Sequence, residues 1–246
     1  MPYAIMQKAL EAPTVDQLQT AFRGVPGVAA VDARIFAKNI FGVLAQGLTE
    51  QQAAAAKAGF TAQNIEVESV DERAVPPMPP IRHVRRLDCT PEALLIYDPI
   101  GRPVPLAWNN IMIVAAGQVV MAEFDRQAED YYVQTRSGPM LRTRYHEDEM
   151  HRERWLLEIV IRGGALRFSV NSHEVLGTFF QYLGERQARD FGTNFQMVVR
   201  DIIQATPDAA LNRGACSIRD QAPKSFLYPN RKAFNEEMIW LLWKLK

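Results

Sequence analysis

The sequence lacks the features that mark metal-binding, disulfide-rich, membrane-spanning or secreted proteins. Only two of its 246 residues are cysteine, Cys89 and Cys216, and their wide separation matches neither zinc-ligand spacing nor a disulfide framework. No stretch approaches the roughly 20 apolar residues that a membrane-spanning helix needs. The first residues lack the basic region and apolar segment of a secretory signal. These absences predict a protein of a reducing compartment, the cytoplasm.

An excess of charge of one sign is also lacking. The chain has 28 basic and 28 acidic side chains, so its formal net charge is zero. Such a balance creates no overall field that attracts nucleic acid or an anionic membrane. We therefore predict no nucleic-acid partner, and we do not expect membrane binding.

Motifs that carry cofactors or catalysis are missing as well. The sequence has no glycine-rich phosphate loop, and no serine lies in the strand-to-helix turn typical of hydrolases. His146 and His151 flank a run of acidic residues, but their spacing of five does not place them on one face of a zinc-binding helix. We predict no catalytic residue, no metal site and no cofactor, and a solvent-exposed charged segment.

The remaining composition is that of an ordinary globular protein. Apolar residues make up 48% and charged residues 23% of the chain, and its length exceeds one typical domain of about 100 to 150 residues. Four prolines between Val75 and Pro80 favour a stiff, extended linker. The predicted organisation is a first domain at 1–72, a proline-rich and basic linker at 73–86, a second domain at 87–214, and a tail at 215–246.

The first domain has the pattern β-α-β-β-α-β. Thr14 with Gln17, and Thr49 with Gln52, have the spacing of a capping box, which predicts where two helices begin. Apolar runs and alternation predict four strands, at Tyr3–Leu10, Val28–Phe36, Ile40–Leu48 and Asn64–Val70. This order resembles the ferredoxin-like fold, and the resemblance implies an antiparallel sheet with both helices on one face. Some relatives of that fold, such as the ACT type, sense small molecules.

The second domain is rich in predicted strands. A meander and a later hairpin precede an amphipathic helix over Thr193–Ala205. A polar segment, 125–154, interrupts the strands and contains the turn Ser137–Pro139, which predicts an exposed insertion. The strands are predicted at Ala93–Tyr97, Val104–Trp108, Ile111–Val114, Val119–Phe124, Trp155–Ile161 and Leu166–Val170.

Three stretches of this domain carry a family resemblance: Ile96–Trp108, Trp155–Val170 and Asn194–Val198. They resemble bacterial pleckstrin-homology-like proteins. The resemblance implies a β-barrel closed by its helix, and with the first domain it gives the expected fold class, α+β.

One compact basic patch lies in the linker and consists of Arg82, His83, Arg85 and Arg86. It is the candidate binding site, because four neighbouring basic side chains could contact a phosphate, an acidic partner or a membrane headgroup. Alternatively, the patch connects the domains by pairing with the first domain, which has more acidic than basic residues.

The tail is predicted to end in an amphipathic helix. Phe234, Met238, Leu241, Leu242 and Leu245 fall on one face, which would not remain bare in water. Its first turns carry acidic residues that anionic lipids would repel. The helix is therefore predicted to pack on the barrel, or to bind a protein partner or a second copy of the chain.

Three functions remain open from the sequence. The leading hypothesis is a non-catalytic binding or scaffolding protein, because no catalytic spacing is present. The second is a small-ligand sensor that uses the ferredoxin-like domain. The third is an enzyme with a site between the domains, for which His83, His173 and Asp98 are the candidate residues.

Overall fold

The structure, a computed structural model, describes residues 1–9, 11–27, 41–135 and 138–246. Between residues 123 and 149 it describes the backbone and, of the side chains, Met140 alone. These residues form a mixed α+β fold with three sheets. The predicted α+β class is confirmed.

The first sheet belongs to the N-terminal part of the chain. Its strands are β1 (Tyr3–Gln7), β2 (Val43–Leu48) and β3 (Val67–Asp71), and β1 lies in the middle, antiparallel to both neighbours. Helices α1 (Val15–Phe22) and α2 (Glu50–Ala62) bury their apolar sides against this sheet. The predicted helices are confirmed, and the strand predicted at Val28–Phe36 lies outside the described residues.

Both predicted capping boxes are present. In each, the threonine hydroxyl accepts a hydrogen bond from the backbone N–H three residues later, and the glutamine side chain accepts one from the threonine N–H. Phe22 and Phe60 then meet edge to face at 5.1 Å between the two helices. Local sequence signals thus set where the helices begin, and apolar packing holds them together.

Replacing Thr49 by alanine tests the second cap. The substitution removes the acceptor for the Gln52 N–H, so we expect the free energy of unfolding to fall by about 1 kcal/mol in urea titrations. Thr61→Ala makes the same chemical change inside the same helix, where the hydroxyl only donates to the Lys57 carbonyl. It is expected to cost nothing, and equal losses from both variants would contradict the role of the cap.

The second sheet forms the centre of the molecule. Its strands are β4 (Ile81–His83), β8 (Ile111–Thr135), β9 (Gly138–Ile161), β10 (Arg167–Asn171), β11 (Ala210–Leu211) and β12 (Leu227–Tyr228). They lie in the order β11-β8-β9-β10-β4, and β12 also pairs with β8. The long strands β8 and β9 are antiparallel, as are β9 and β10, whereas β4, β11 and β12 each pair in parallel with their neighbour.

The third sheet is an antiparallel meander of β5 (Leu87–Cys89), β6 (Ala93–Tyr97) and β7 (Pro103–Ala107). It encloses a core with helix α3 (Phe191–Ala205) and one face of the central sheet. None of the three sheets closes into a barrel among the described residues. One physical reason is that β7 carries two prolines, which cannot donate the backbone hydrogen bonds that a further strand would need.

Two further helices follow, α4 (Arg213–Arg219) and α5 (Arg231–Lys244). Helix α5 lies between the N-terminal sheet and the central sheet, because Phe234, Met238 and Trp240 share one core with residues of β1, β2, β8 and β9. The Trp240 indole N–H donates to the Gln7 carbonyl at 2.5 Å. Gly42, with φ of +80°, lies so close that a Cβ there would be 2.6 Å from the Trp240 Cβ.

The location of α5 bears on the alternatives predicted for its apolar face. The predicted apolar face exists, but Phe234, Met238, Leu241 and Leu242 are buried within the chain. Self-association through this helix is therefore not supported, since the face is already covered. None of the helices in the described ranges combines the length and apolar character needed to cross a bilayer.

A buried ion cluster joins three segments at the middle of the central sheet. Glu158 of β9 is fully buried and accepts from the Arg167 guanidinium at 2.6 Å, from the Ser169 hydroxyl at 3.2 Å, and from Arg231 at the start of α5. Arg167 also donates to the Pro79 carbonyl at 3.0 Å. One carboxylate thus holds the proline-rich segment and α5 against the sheet.

A second buried network joins α4, β12 and α5. The Glu237 carboxylate accepts from the Tyr228 hydroxyl at 2.9 Å and from the Arg213 backbone N–H at 2.6 Å. Asn212 donates to the same hydroxyl at 2.8 Å. Burial raises the pKa of Tyr228 well above its ordinary value, so this hydroxyl stays protonated and keeps its hydrogen bond to Glu237.

Candidate functional site: a long β-ribbon and the cleft at its base

The two longest strands extend far beyond the sheet that they belong to. β8 and β9 pair in unbroken register from Ile113↔Val160 to Thr135↔Gly138. Near the body they have neighbours on both sides, but β12 makes its last pair at Val119 and β10 its last pair at Leu156. Beyond these points, no third strand in the described ranges pairs with them.

We call this part, residues 120–135 with 138–154, the ribbon. At a rise of about 3.4 Å per residue it extends roughly 50 Å from the central sheet. A two-stranded hairpin alone is only marginally stable in water. Its two edges also present unpaired backbone N–H and C=O groups, which can pair with another extended chain. The ribbon is therefore a structure suited to binding a further strand.

The ribbon falls on the segment that the sequence analysis predicted to be an exposed insertion, residues 125–154. The structure pairs its backbone as two strands. Of the turn predicted at Ser137–Pro139, Gly138 and Pro139 belong to β9, which pairs them with Thr135 and Gln134. Residues 136 and 137 lie outside the described residues.

A polar cleft of about 480 Å³ lies at the base of the ribbon. Trp155 lines the cleft and contacts Phe195 of α3, with ring centroids 5.4 Å apart. Asp190, the N-cap of α3, lines it as well. The lining residues come from β8, β9, the end of β10 and α3, namely Gln118, Glu153, Arg154, Trp155, Ser172, Asp190, Phe191, Gly192 and Gln196.

Two of the polar groups in this cleft have structural partners. The Ser172 hydroxyl accepts from the Trp155 backbone N–H at 3.1 Å, so it extends the pairing of β9 with β10. The Asp190 carboxylate accepts from the Thr193 N–H at 2.6 Å. Hydrogen bonds from the Thr193 side chain and backbone lower the pKa of Asp190. The cleft is thus suited to binding polar groups more than to breaking bonds.

The predicted basic patch lies at the edge of the central sheet that β4 forms. Arg82 and His83 lie on β4 and are exposed, as is Arg85. His83 Nδ1 lies 3.1 Å from a Glu174 carboxylate oxygen. The patch is therefore presented on an edge strand, where three of its four basic side chains face solvent.

Arg86, the fourth member of the patch, points into the third sheet. Its guanidinium lies 4.0 Å from the centre of the Tyr97 ring and contacts Asp88 at 3.3 Å. The Tyr97 hydroxyl donates to the same carboxylate at 2.6 Å, and this bond is the main cause of a raised pKa at Tyr97. Arg86 thus binds residues of the third sheet, whereas Arg82, His83 and Arg85 are exposed.

Of the residues named for an enzyme site, His83 pairs with Glu174, which adjoins His173 in the chain, while Asp98 lies in the turn between β6 and β7. Asp98 closes its own turn by accepting from Arg102 at 2.8 Å, and the Arg102 and Ile100 N–H groups contribute to lowering its pKa. His173 is exposed, and its backbone N–H donates to Asn171. Among the described residues, no three His, Cys, Asp or Glu side chains lie together as a metal ion would need.

Comparison of the chain with protein-family models, with curated proteins and with solved structures finds no match.

Proposed function

We propose that this protein is a non-catalytic scaffold that assembles with itself by pairing its ribbon with the ribbon of a second copy. The single observation that carries the proposal is the unbroken strand pairing from Val120↔Glu153 to Thr135↔Gly138, which has no third strand beside it in the described part of the chain. A ribbon of this length gains stability when further strands cover its edges.

A second copy of the chain fits this role for two reasons. First, its ribbon supplies an extended edge of the same length, and a two-fold axis perpendicular to the strands makes one edge complementary to itself in an antiparallel pair. Second, residues 120–154 carry acidic and basic residues in near-equal numbers, so two ribbons do not repel each other strongly.

The cleft at the ribbon base has a place in this arrangement. If two ribbons pair antiparallel along most of their length, the end of each ribbon reaches the base of the other. There it meets Trp155 and the polar groups beside it. Aromatic residues are enriched in protein–protein interfaces, and Trp155 supplies one at this position.

Shortening the ribbon tests the proposal. Joining Met121 directly to Arg152 through Asn-Gly removes most of the ribbon at a registered pair and closes it with a favourable two-residue turn. We expect the full-length protein to sediment as a dimer and this variant as a monomer, with unchanged circular dichroism from the helices. Analytical ultracentrifugation over a range of concentrations measures both.

A half-length ribbon is the matched control. Joining Gln127 to His146, also a registered pair, keeps the inner part of the ribbon and is expected to dimerise with a dissociation constant between those of the other two proteins. A full-length protein that stays monomeric at all concentrations, or a short-ribbon variant that dimerises as well as the full-length chain, would overturn the proposal.

The fold assignment that accompanies this function is also a proposal. The order β2-β1-β3, with both helices on one face, supports a ferredoxin-like unit for residues 1–72. The β5–β7 meander, the strands β8–β10 and the following α3 around one core support a pleckstrin-homology-like unit for residues 87–214. Both cysteines are free thiols, which supports the proposed cytoplasmic location.

A further inference from the structure

A second concave site lies beside the C-terminal turns of α3. A crevice of about 600 Å³ separates the last turns of α3 from α4, and the chain that links the two helices closes one end. Its volume falls within the range typical of small-molecule sites. It shares no lining residue with the cleft at the ribbon base.

The lining of this crevice combines apolar surface with basic side chains. Ile203, Pro207 and Leu211 supply apolar surface, and the charged lining residues are Arg200 and Arg219. No acidic residue belongs to the lining. An occupant with an apolar body and an anionic head would therefore match both parts of the surface.

Both arginines can contact such a head, Arg200 directly and Arg219 in exchange for its ion pair with Asp220. The Nε of Arg200 donates to the Gln196 carbonyl at a long 3.4 Å, and its terminal nitrogens have no partner among the described residues. Arg219 pairs with the adjacent Asp220, and the two side chains are 51% and 59% exposed. Exposed pairs of this kind contribute little stability, so a ligand can compete for the Arg219 guanidinium.

Cys216 lies on the wall of the same crevice. Burial raises the pKa of its thiol, so at neutral pH the sulfur is uncharged and behaves as part of the apolar surface. The thiol is also a convenient reporter, because a ligand in the crevice would shield it from alkylation.

We propose that the crevice binds an amphipathic carboxylate of the medium-chain fatty-acid type. The guanidinium groups of Arg200 and Arg219 hold the carboxylate, since their planar donors match its two oxygens. The alkyl chain lies along Ile203 and Leu211 and is removed from water. This ligand site is separate from the ribbon and does not depend on self-association.

Calorimetric titration with octanoate tests the site. We expect saturable one-to-one binding by the full-length protein, with acetate and octanamide failing to bind because the first lacks the chain and the second the charge. Arg200→Gln and Arg219→Gln are each expected to weaken binding about tenfold, the effect of losing a hydrogen bond to a charged group. Arg189→Gln, an exposed arginine outside the crevice, removes the same charge and should leave the affinity unchanged.

Alkylation of the two thiols gives an independent readout on the unmodified sequence. Octanoate is expected to slow the reaction of Cys216 with iodoacetamide at pH 8.5 and to leave Cys89 unaffected. Burial raises the pKa of Cys89 to about 12, so Cys89 is expected to stay unreacted and the measured alkylation reports on Cys216. Absence of saturable octanoate binding, equal binding of octanamide, unchanged affinity in both arginine variants, or unprotected Cys216 would overturn the proposal.

Discussion

Replacing Glu158 by alanine is expected to lower the free energy of unfolding by about 3 to 5 kcal/mol, the cost of leaving buried charges without their partner. The carboxylate is fully buried between two guanidinium groups, of which Arg167 is itself nearly buried. Without it, Arg167 and Arg231 lose their counter-charge and the Ser169 hydroxyl loses its acceptor. Urea titration followed by tryptophan fluorescence measures the change.

Two variants separate the role of the charge from general damage to β9. Glu158→Gln keeps the shape and one acceptor oxygen, so its cost should fall between those of alanine and the natural residue. Glu153→Ala removes an exposed carboxylate from the same strand and should change stability by less than about 0.5 kcal/mol. If Glu158→Ala costs no more than Glu153→Ala, the ion cluster has no stabilising role.

Replacing Trp240 by alanine should have an effect of similar size, about 3 to 5 kcal/mol. The indole is 2% exposed, meets the Phe41 ring at 5.3 Å and donates to the Gln7 carbonyl. Its loss leaves a cavity between α5 and the N-terminal sheet. We therefore expect faster hydrogen exchange at the amides of β1 than at those of β10, measured by mass spectrometry.

Trp243→Ala is the control for this substitution. Trp243 lies on the same helix but is only partly buried, so its truncation should cost less and leave exchange in β1 almost unchanged. Equal effects of the two substitutions would show that Trp240 has no special role in holding the N-terminal sheet.

Local signals in the sequence predicted the elements that depend on neighbours in the chain. The capping residues Thr14 and Thr49 are found where expected, because a cap needs only residues three positions apart. Helix α3 follows its apolar stripe, and the strand Ala93–Tyr97 is found with the predicted bounds. Each of these signals depends only on residues a few positions apart in the chain.

The sequence did not predict the ribbon as a pair of strands, because most of this segment lacks alternation between apolar and polar residues. A strand prediction depends on alternation between apolar and polar residues, and residues 125–154 are mostly polar and charged. The clustered aromatic and β-branched residues Tyr131, Tyr132 and Val133 were the available signal for a strand. The turn at Ser137–Pro139 was the other half of a hairpin signal.

The buried Glu158 cluster and the arginine crevice lay beyond sequence reasoning for a different reason. Glu158 meets Arg231 from a helix 73 positions away in the chain, and no local pattern marks a carboxylate for burial. Likewise Arg200 and Arg219 become neighbours only because α4 folds back beside α3. Sites assembled from distant segments require the tertiary structure.

The central position of α5 has a consequence for how the protein is made. The hydrogen bond from Trp240 joins β1 to a residue 233 positions later, and ribosomes add about 5 to 20 residues per second. The apolar side of the N-terminal sheet, with Ala4 and Met6 at its centre, therefore stays uncovered for roughly 10 to 50 s, until α5 has been synthesised. During that interval a chaperone that binds short apolar strands would find its target in β1.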